Sequence, residues 1–394
     1  MSLTPVHHAA QAILDHARTL SSELVTLPHA NGRVLASSIT ADREYPPYDR
    51  VMMDGICFSS SSPSRSFTLV GTVQAGAPQT QPLEPTQAWR INTGGALPSD
   101  CDVVVPVEEL EIQGETATIV TDFQPTPYQF VHRQGSDMGA GHPILPAGSQ
   151  LNAANLSIAA SVGSLMLSVT RAPRVFVLTT GQEAVDPTTT PNQFQIRRSH
   201  PTALHTALCS LGISDITFEH LPDDFDTMKA TLHHALSHAD VILTCGAISK
   251  GSSDFLGQIF GELAGEPQFH GVSQRPGKPL AYWSGAKDRP AIFALPGNAI
   301  STLVTFHRYV APYLESIMGR PLLPRPQVTI THDLSDFHLT RFLPVELISP
   351  SEARLHAPQN SGDFGALAGS DGFVEIPLGT APASPTTLDF YPWL

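Results

Sequence analysis

The sequence predicts a multi-domain protein that combines a partly helical domain, an α/β domain and two β domains. Three features predict this: the length of 394 residues, the abundance of turn residues, and a strand-helix alternation confined to the middle of the chain. A chain this long exceeds one ordinary hydrophobic core, so two to four domains are expected. The 29 glycines and 35 prolines indicate many turns and strand ends.

The first domain is predicted to be discontinuous. Thr4 is predicted as the cap of a first helix that starts with Pro5, and apolar residues then recur at helical spacing as far as Leu20. After an interruption, residues 143–170 return to a strand, a small-residue helix over 152–162 and a second strand. We therefore assign residues 1–44 and 136–173 to one N-terminal domain.

An inserted β domain is predicted for residues 45–135. Short β-rich runs, separated by Gly, Pro and Ser, occupy this region. They are Phe67–Val73, Ala88–Asn92, Cys101–Val107 and Thr116–Val120.

The third domain, residues 174–320, has the alternation of a doubly wound α/β sheet. Its strands are predicted at Arg174–Thr180, Asp215–Glu219, Val241–Cys245 and Ala291–Leu295. Its helices are predicted at Ser199–Leu211, with Ser199 as the cap, at Asp223–His238, from near Asp254, and from Ala299 to about Leu314. Such a sheet is mostly parallel and binds ligands at the carboxyl ends of its strands.

Residues 321–394 lose the helical signal and predict a C-terminal β domain. The predicted strands are Val328–Thr331, Phe342–Ile348, Ala353–His356, Gly372–Ile376 and Leu388–Tyr391.

Charge and cysteine usage exclude several classes of function. The formal net charge of -14 argues against a protein that binds nucleic acid or a membrane surface through a basic face. The four cysteines form no CxxC pair and no metal-binding spacing, which indicates a reducing compartment. The first residues show no signal-peptide pattern, and no 18-residue apolar stretch occurs, so a cytoplasmic location is expected.

Three predicted strands of the α/β domain end in polar, glycine-containing loops. These loops are Thr179–Glu183, Thr244–Gly251 and Leu295–Ser301. Glycine allows backbone N-H groups to converge on an oxyanion, and the dipole of the following helix adds partial positive charge. Any one such loop is more often a tight turn, but three at one sheet edge favour an anion site.

Two cationic segments accompany these loops. In Arg275–Pro279, prolines rigidify a turn that carries Arg275 and Lys278, a combination suited to phosphate or another tetrahedral oxyanion. Arg197 and Arg198 precede a predicted helix start. Both segments are equally consistent with surface turns whose charges are solvated.

Loop carboxylates supply a candidate metal site. Asp54, Asp137, Glu183 and Asp254 all lie in predicted loops. Carboxylates beside an anion need a divalent cation between them, and Mg²⁺ is the default choice. The alternatives are a turn at Asp54-Gly55 and a helix cap at Asp254. The His7-His8 and His233-His234 pairs lack the partners of a zinc site and are interpreted as structural.

Taken together, the motifs resemble the MoeA family, the molybdopterin molybdenumtransferases related to the E domain of gephyrin. The matching segments, in family order, are Asp49–Gly55, Asn92–Pro98, Arg133–Asp137, Pro146–Gly148, Thr180–Glu183, Pro276–Pro279 and Leu295–Asn298. The resemblance implies a molybdopterin-binding α/β domain within the four-part molecule predicted above. It also implies a homodimer whose active site joins the α/β domain of one subunit to the inserted domain of the other, and a possible partnership with the molybdopterin adenylyltransferase.

The reaction implied by the resemblance is insertion of molybdate into adenylylated molybdopterin, with Mg²⁺-assisted release of AMP. The implied catalytic residues are Asp54, Thr93, Asp137, Glu183 and Asp254, of which Glu183 and Asp254 would hold Mg²⁺. The implied substrate-binding residues are Arg133, Gly246, Ser249, Arg275, Lys278, Pro296, Gly297, Asn298 and Ser301. Asp223-Asp224 matches a further acidic position of the family, with a helix cap as the alternative.

Several positions depart from the family pattern, and they cluster in the ligand loops. They are Arg198, His200, Ala247, Lys250 and Ala299. The sequence therefore leaves a second hypothesis open, a diverged relative that binds molybdopterin or an oxyanion as a non-catalytic carrier or partner module. An unrelated nucleotide-binding enzyme is not favoured, since neither a P-loop nor GxGxxG opens the first strand-helix unit.

Overall fold

The computed structural model describes residues 3–77, 79–120, 122–222, 224–246, 255–286, 289–331, 337–356, 358–360, 363–379 and 385–394. The chain divides into two compact units. The first, called here the large unit, contains Met1–Leu24, Gly32–Ala36 and Ser168–Leu394. The second, the small unit, contains Val25–Asn31 and Ser37–Leu167. The finer division into four domains stays a prediction.

The α-helices are α1 (Val6–Asp15), α2 (Ala153–Ser161), α3 (His200–Ser210), α4 (Phe225–His238), α5 (Phe255–Ala264), α6 (Ala299–Thr305) and α7 (Ala311–Ile317). A π-helical segment, Phe306–Val310, joins α6 to α7, so the single helix predicted from Ala299 is interrupted and ends three residues later than expected. Short 3-10 turns occupy Leu27–His29, Val107–Glu109 and Phe364–Leu367. In the described residues, none of these helices is long and apolar enough to cross a membrane.

The strands up to Thr170 are β1 (Ser22–Thr26), β2 (Ile39–Thr40), β3 (Arg50–Val51), β4 (Gly55–Phe58), β5 (Ser66–Val73), β6 (Gln87–Ile91), β7 (Val103–Pro106), β8 (Leu110–Gln113), β9 (Thr116–Ile119), β10 (Val131–His132), β11 (Pro143–Leu145) and β12 (Met166–Thr170). The small unit contains a six-stranded sheet in the order β7-β4-β6-β5-β9-β8. Alternate residues of its strands feed two apolar clusters, one around Trp89 and Ile91 and one around Phe58 and Phe67. The predicted β-rich character of this region is confirmed.

The strands of the α/β region are β13 (Val175–Thr180), β14 (Ala184–Val185), β15 (Ile196–Arg197), β16 (Ile216–Leu221), β17 (Val241–Cys245), β18 (Phe269–His270), β19 (Gln274–Arg275), β20 (Ala281–Trp283) and β21 (Ala291–Leu295). One sheet has the order β16-β13-β17-β21-β20-β18. Its first four strands are parallel, and β20 and β18 add an antiparallel edge that the sequence analysis missed. Helices cover both faces, as predicted for a doubly wound sheet.

The last strands are β22 (Gln327–Ile330), β23 (Thr340–Ser349), β24 (Glu352–Leu355), β25 (Gly372–Ile376) and β26 (Thr386–Pro392), each within two residues of its predicted position. They form a sheet in the order β19-β23-β24-β22-β26-β25, and a further β23–β25 pairing closes five of the strands into a ring. The pairing of β19 with β23 joins the turn after Arg275 to this sheet.

Two predicted helix caps differ from the structure. Ser199 occupies the N-cap position of α3, but its backbone is already helical and its side chain makes no capping hydrogen bond. The first helix begins at Val6 with Pro5 at the N-cap, so Thr4 is not its cap. By contrast, Asp224 caps α4 by accepting a hydrogen bond from the Thr227 N-H at 2.9 Å. Asp223 lies outside the described residues.

Candidate active site

Three strands of the α/β sheet end at one edge, as the sequence predicts. Thr179 pairs in register with Cys245, and Cys245 pairs with Leu295, so β13, β17 and β21 stop side by side. The loops that leave these strands are therefore neighbours at the carboxyl edge of the sheet, the usual place for a ligand in this architecture.

Two of these loops touch through glycines. A side-chain Cβ added to Gly297 would lie 3.4 Å from the Gly246 Cα, and one added to Gly246 would lie 3.4 Å from the Thr180 Oγ1. Gly246 also has φ +95°, a conformation that side chains disfavour. The loops can approach this closely because both positions lack side chains, which leaves backbone groups at the surface of the edge.

The third loop is held by the helix that follows it. The Thr302 hydroxyl donates a hydrogen bond to the Pro296 carbonyl at 2.6 Å, and Asn298 is the N-cap of α6. Ser301 lies in the first turn of α6 and is only 3% exposed, and its carbonyl accepts a hydrogen bond from the Thr305 hydroxyl at 2.8 Å. The backbone of the loop is thus fixed by hydroxyl groups of α6.

The Arg275 turn packs against the same helix. Buried Gln274 donates from Nε2 to the carbonyls of Pro276 and Gly277 at 3.1 and 3.3 Å, and the Tyr309 hydroxyl donates to its Oε1. A Cβ on Gly277 would lie 2.6 Å from the Thr305 Cγ2. Gln274 and Tyr309 therefore position this turn, a role that sequence reasoning missed because no motif distinguishes them.

The turn presents cations at its surface. Arg275 and Lys278 are exposed, and in the described part of the chain neither forms an ion pair with a carboxylate. Arg275 pairs in register with Arg341, and their guanidinium groups lie 5.9 and 5.5 Å from the Phe337 ring centroid. Arg341 was also missed, since only the β19–β23 register brings it beside Arg275. Uncompensated cations favour an anionic ligand.

The predicted metal ligands are only partly described. Gly181 has φ +118°, and a Cβ there would lie 2.9 Å from the Glu183 Oε1, so the exposed carboxylate folds back over the glycine. Asp254 and Ser249 lie outside the described residues, as do Ala247 and Lys250. Where side chains are described, no group of three or more His, Cys, Asp or Glu is arranged to hold a metal ion.

His200, one of the departures from the family pattern, lies beside the Gly297 loop. Burial lowers the pKa of its imidazole, and a hydrogen bond with the Gly297 backbone opposes that shift. Its Nε2 is buried without a hydrogen-bond partner among the described residues. Neighbouring Arg198 forms an ion pair with Asp186 at 3.2 Å, so its charge is partly used within the protein.

In the small unit, Asp54 and Thr93 are hydrogen-bonded to each other. Asp54 Oδ1 accepts hydrogen bonds from the Thr93 N-H at 2.6 Å and from the Thr93 hydroxyl at 2.7 Å. These two bonds lower the pKa of Asp54, although the carboxyl group is exposed. The carboxylate is therefore charged and fixed in orientation.

Arg133 and Asp137 follow strand β10 along the chain. Strand β10 pairs with β3, and its His132 places Nε2 at 2.7 Å from the Asp137 carboxylate. Arg133 forms an ion pair with Asp49 at 3.2 Å and stacks on the Tyr128 ring at 3.7 Å. The structure thus gives Arg133 a partner inside the small unit, which weakens its charge toward any ligand.

Comparisons with known proteins agree with this arrangement. The family described as "MoeA N-terminal region (domain I and II)" matches residues 4–163, and the "Probable molybdopterin binding domain" family matches residues 176–316. A molybdopterin molybdenumtransferase from Synechocystis sp. is 37% identical over 393 residues, which cover 98% of each chain. This chain belongs to the MoeA family.

Other MoeA relatives extend the comparison. A molybdopterin molybdenumtransferase from Haemophilus influenzae is 31% identical over 77% of this chain and 75% of its own. A crystal structure of the molybdopterin biosynthesis moeA protein from Pyrococcus horikosii superposes with a TM-score of 0.80 at 27% identity, covering 99% of this chain and 97% of that one. The family and the mixed α/β and β fold predicted from the sequence are confirmed.

Proposed function

We propose that this protein is the molybdenumtransferase of molybdenum cofactor biosynthesis, which inserts molybdate into adenylylated molybdopterin and releases AMP. Its 37% identity to an enzyme of that name, over 98% of each chain, supports the transferase assignment. The observation that carries the proposal is the carboxyl edge of the α/β sheet, where glycine-formed loops adjoin a rigid turn whose cations have no carboxylate partner among the described residues. Both substrates are anions, and such an edge suits them.

Each described group has a proposed role at this edge. Arg275 and Lys278 bind the pterin phosphate or molybdate, and backbone N-H groups at Gly246 and around Gly297 donate to ligand oxygens. Pro296, Asn298 and Ser301 shape the third loop. Ser249 is proposed as a further donor.

A magnesium ion is part of the proposal. An exposed, loop-borne carboxylate such as Glu183 suits Mg²⁺, which prefers oxygen ligands, and Asp254 is proposed as the second ligand. The ion would neutralise charge between the carboxylates and the anionic substrate. Asp54, oriented by Thr93, and Asp137 are proposed as the acidic groups that complete the catalytic site.

We further propose that the protein acts as a homodimer in which one subunit supplies Asp54, Thr93 and Asp137 to the α/β domain of the other. The same subunit would also supply Arg133. A transfer of adenylylated molybdopterin from the molybdopterin adenylyltransferase is a further proposal. The cytoplasmic location stays a prediction.

One observation favours a second candidate function, a carrier that binds molybdopterin without insertion. His200 lies against the Gly297 loop, and Arg198, two residues earlier, is paired with Asp186, at positions where the family has acidic or amide side chains. A cation in place of an acidic or amide group changes the charge of the segment that leads to His200 and the third loop.

Molybdate-dependent AMP release distinguishes the two functions. Purified protein is incubated with adenylylated molybdopterin, molybdate and Mg²⁺, and AMP and bound pterin are both quantified. The enzyme is expected to release AMP only when molybdate is present, and Asp54→Ala should abolish release while pterin binding persists. Pterin binding without AMP release by the unmodified protein would establish the carrier instead.

The cationic turn is tested by Lys278→Ala. An exposed cation-anion contact is screened by salt, so the variant should bind the pterin more weakly and with a smaller salt dependence. Arg43→Gln, which removes a charge from a side chain that is 62% exposed in the small unit, is the control. Equal affinities for Lys278→Ala and the control would remove Lys278 from the site.

A further inference from the structure

A second cationic cavity lies at the opposite edge of the α/β sheet. Its volume is about 860 Å³, and its lining includes Arg18, Arg171, Arg174, Arg289 and Asp240. It is formed where the strands begin, since Val175, Val241 and Ala291 pair in register as the first residues of β13, β17 and β21. Strands of five or six residues at about 3.3 Å each separate it from the candidate active site.

One carboxylate among the described lining residues organises part of this cavity. Arg171 donates two hydrogen bonds to Asp240, at 2.7 and 2.8 Å, and Arg174 donates to it through its N-H at 2.8 Å and its side chain at 3.3 Å. Glu23 also acts on Arg171 but is itself paired with Arg33. Asp240 neutralises the charge of one arginine, so the four arginines and one aspartate among the described lining residues leave a net excess of three positive charges.

The other two arginines are held without neutralisation. Arg18 donates to the carbonyls of Asp15 and Ala17 at 2.9 and 3.0 Å, and Arg289 donates to those of Ala264 and Ser284 at 2.9 and 3.2 Å. Among the described residues, neither forms an ion pair with a carboxylate. Carbonyl contacts fix the position of a guanidinium group while leaving its charge and several N-H donors available.

The cavity also offers a neutral donor and apolar surface. Burial raises the pKa of Tyr313 to about 12, so its hydroxyl keeps its proton, and the ring lines the cavity together with Leu236. The volume falls within the range of small-molecule sites, about 300 to 1,000 Å³. Planar guanidinium groups bind phosphate through paired hydrogen bonds.

We propose that this cavity binds a small polyphosphorylated molecule at a site separate from the candidate active site. The three excess charges match a ligand with two or three phosphoryl groups better than a single carboxylate. In a chain whose net charge is -14, four arginines around one cavity indicate a site for a specific anion.

Inorganic tripolyphosphate serves as the probe, measured by isothermal titration calorimetry at low salt. All proteins carry Lys278→Ala, which weakens anion binding at the carboxyl edge. We expect Arg18→Gln and Arg289→Gln each to weaken binding about tenfold, and the double variant about a hundredfold, since hydrogen bonds to charged groups contribute on that scale. Arg43→Gln removes the same charge elsewhere and should leave the affinity unchanged.

Two results would overturn the proposal. One is an affinity of the double variant equal to that of its parent, and the other is equal weakening by Arg43→Gln, which would indicate a non-specific charge effect. Arg18→Gln alone keeps the test decisive if loss of the Arg289 contacts disturbs folding, because Arg18 is exposed and the hydrogen bonds described for it are to carbonyls of its own chain segment.

Discussion

At the scale of single residues, Gly55 shows that a motif residue can serve strand packing rather than ligand binding. It follows Asp54 and begins strand β4, where a Cβ would lie 1.9 Å from the Val105 carbonyl oxygen. The neighbouring strand β7 is fully buried and cannot move away without disturbing the core. Gly55 thus permits the strand pairing that places Asp54 at the end of β4.

We predict that Gly55→Ala destabilises the small unit by about 1 to 3 kcal/mol or more, the usual cost of overpacking a core. Gly139→Ala is the matched control, because nothing lies within 4 Å of its added Cβ and its φ is not in the left-handed region. Thermal unfolding followed by circular dichroism measures both variants. If Gly55→Ala unfolds at the same temperature as Gly139→Ala, strands β4 and β7 accommodate the added Cβ without loss of stability, and the prediction is wrong.

The same residues show what a sequence can reveal about a site. Asp54, Thr93 and Lys278 stand in recognisable motifs, and the structure gives each a defined place. Gln274, Tyr309 and Arg341 carry no motif, because their roles depend on a helix packing against a turn and on the register of a two-residue strand. Such contacts join distant parts of the chain and leave no local periodicity to read.

At the scale of elements, the starts of β13 and β17 are joined by a partly buried ionic clamp. Burial alone would raise the pKa of Asp240, but hydrogen bonds from Arg171 and Arg174 outweigh it and bring the pKa to about 2. A carboxyl group whose pKa is lowered by folding stabilises the protein above its unfolded pKa of 3.8 and loses that contribution as the pH falls toward 2.

We therefore predict that Asp240→Asn lowers the stability at pH 7 by about 2 kcal/mol, the free energy of a shift of this size. The difference between the variant and the unmodified protein should be constant above about pH 5 and shrink steadily between about pH 4 and pH 2. Calorimetric transition temperatures at several pH values measure this. A stability difference that stays constant down to pH 2 would mean that folding does not lower the pKa of Asp240.

Element prediction succeeded where periodicity is long and failed where strands are short. The buried strands of the parallel sheet and the strands of the C-terminal ring were found because apolar runs are bounded by turn residues. The antiparallel edge, β18 and β20, was missed because each has only two or three residues. The π segment at Phe306–Val310 was missed because its apolar pattern is that of a continuous helix.

At the scale of the whole molecule, the proposed function places acidic groups of one subunit at the anion site of another. If that is so, neither Asp54→Ala nor Lys278→Ala homodimers contain a complete site. A heterodimer of the two variants contains one site with both substitutions and one with neither. Co-expression of differently tagged subunits provides such heterodimers.

At a pterin concentration too low to fill the weakened Lys278→Ala site, we predict that a random mixture of the Asp54→Ala and Lys278→Ala variants recovers about a quarter of the unmodified AMP-release rate, since half of the dimers are mixed and each has one intact site of two. Heterodimers isolated through both tags should recover about half. A site built within one subunit would instead stay inactive in every combination, because each polypeptide lacks one essential group. Size-exclusion chromatography of each preparation confirms that dimers are compared. A failed complementation would then count against the shared site. It would not bear on the transferase assignment, which the AMP-release assay of the unmodified protein tests.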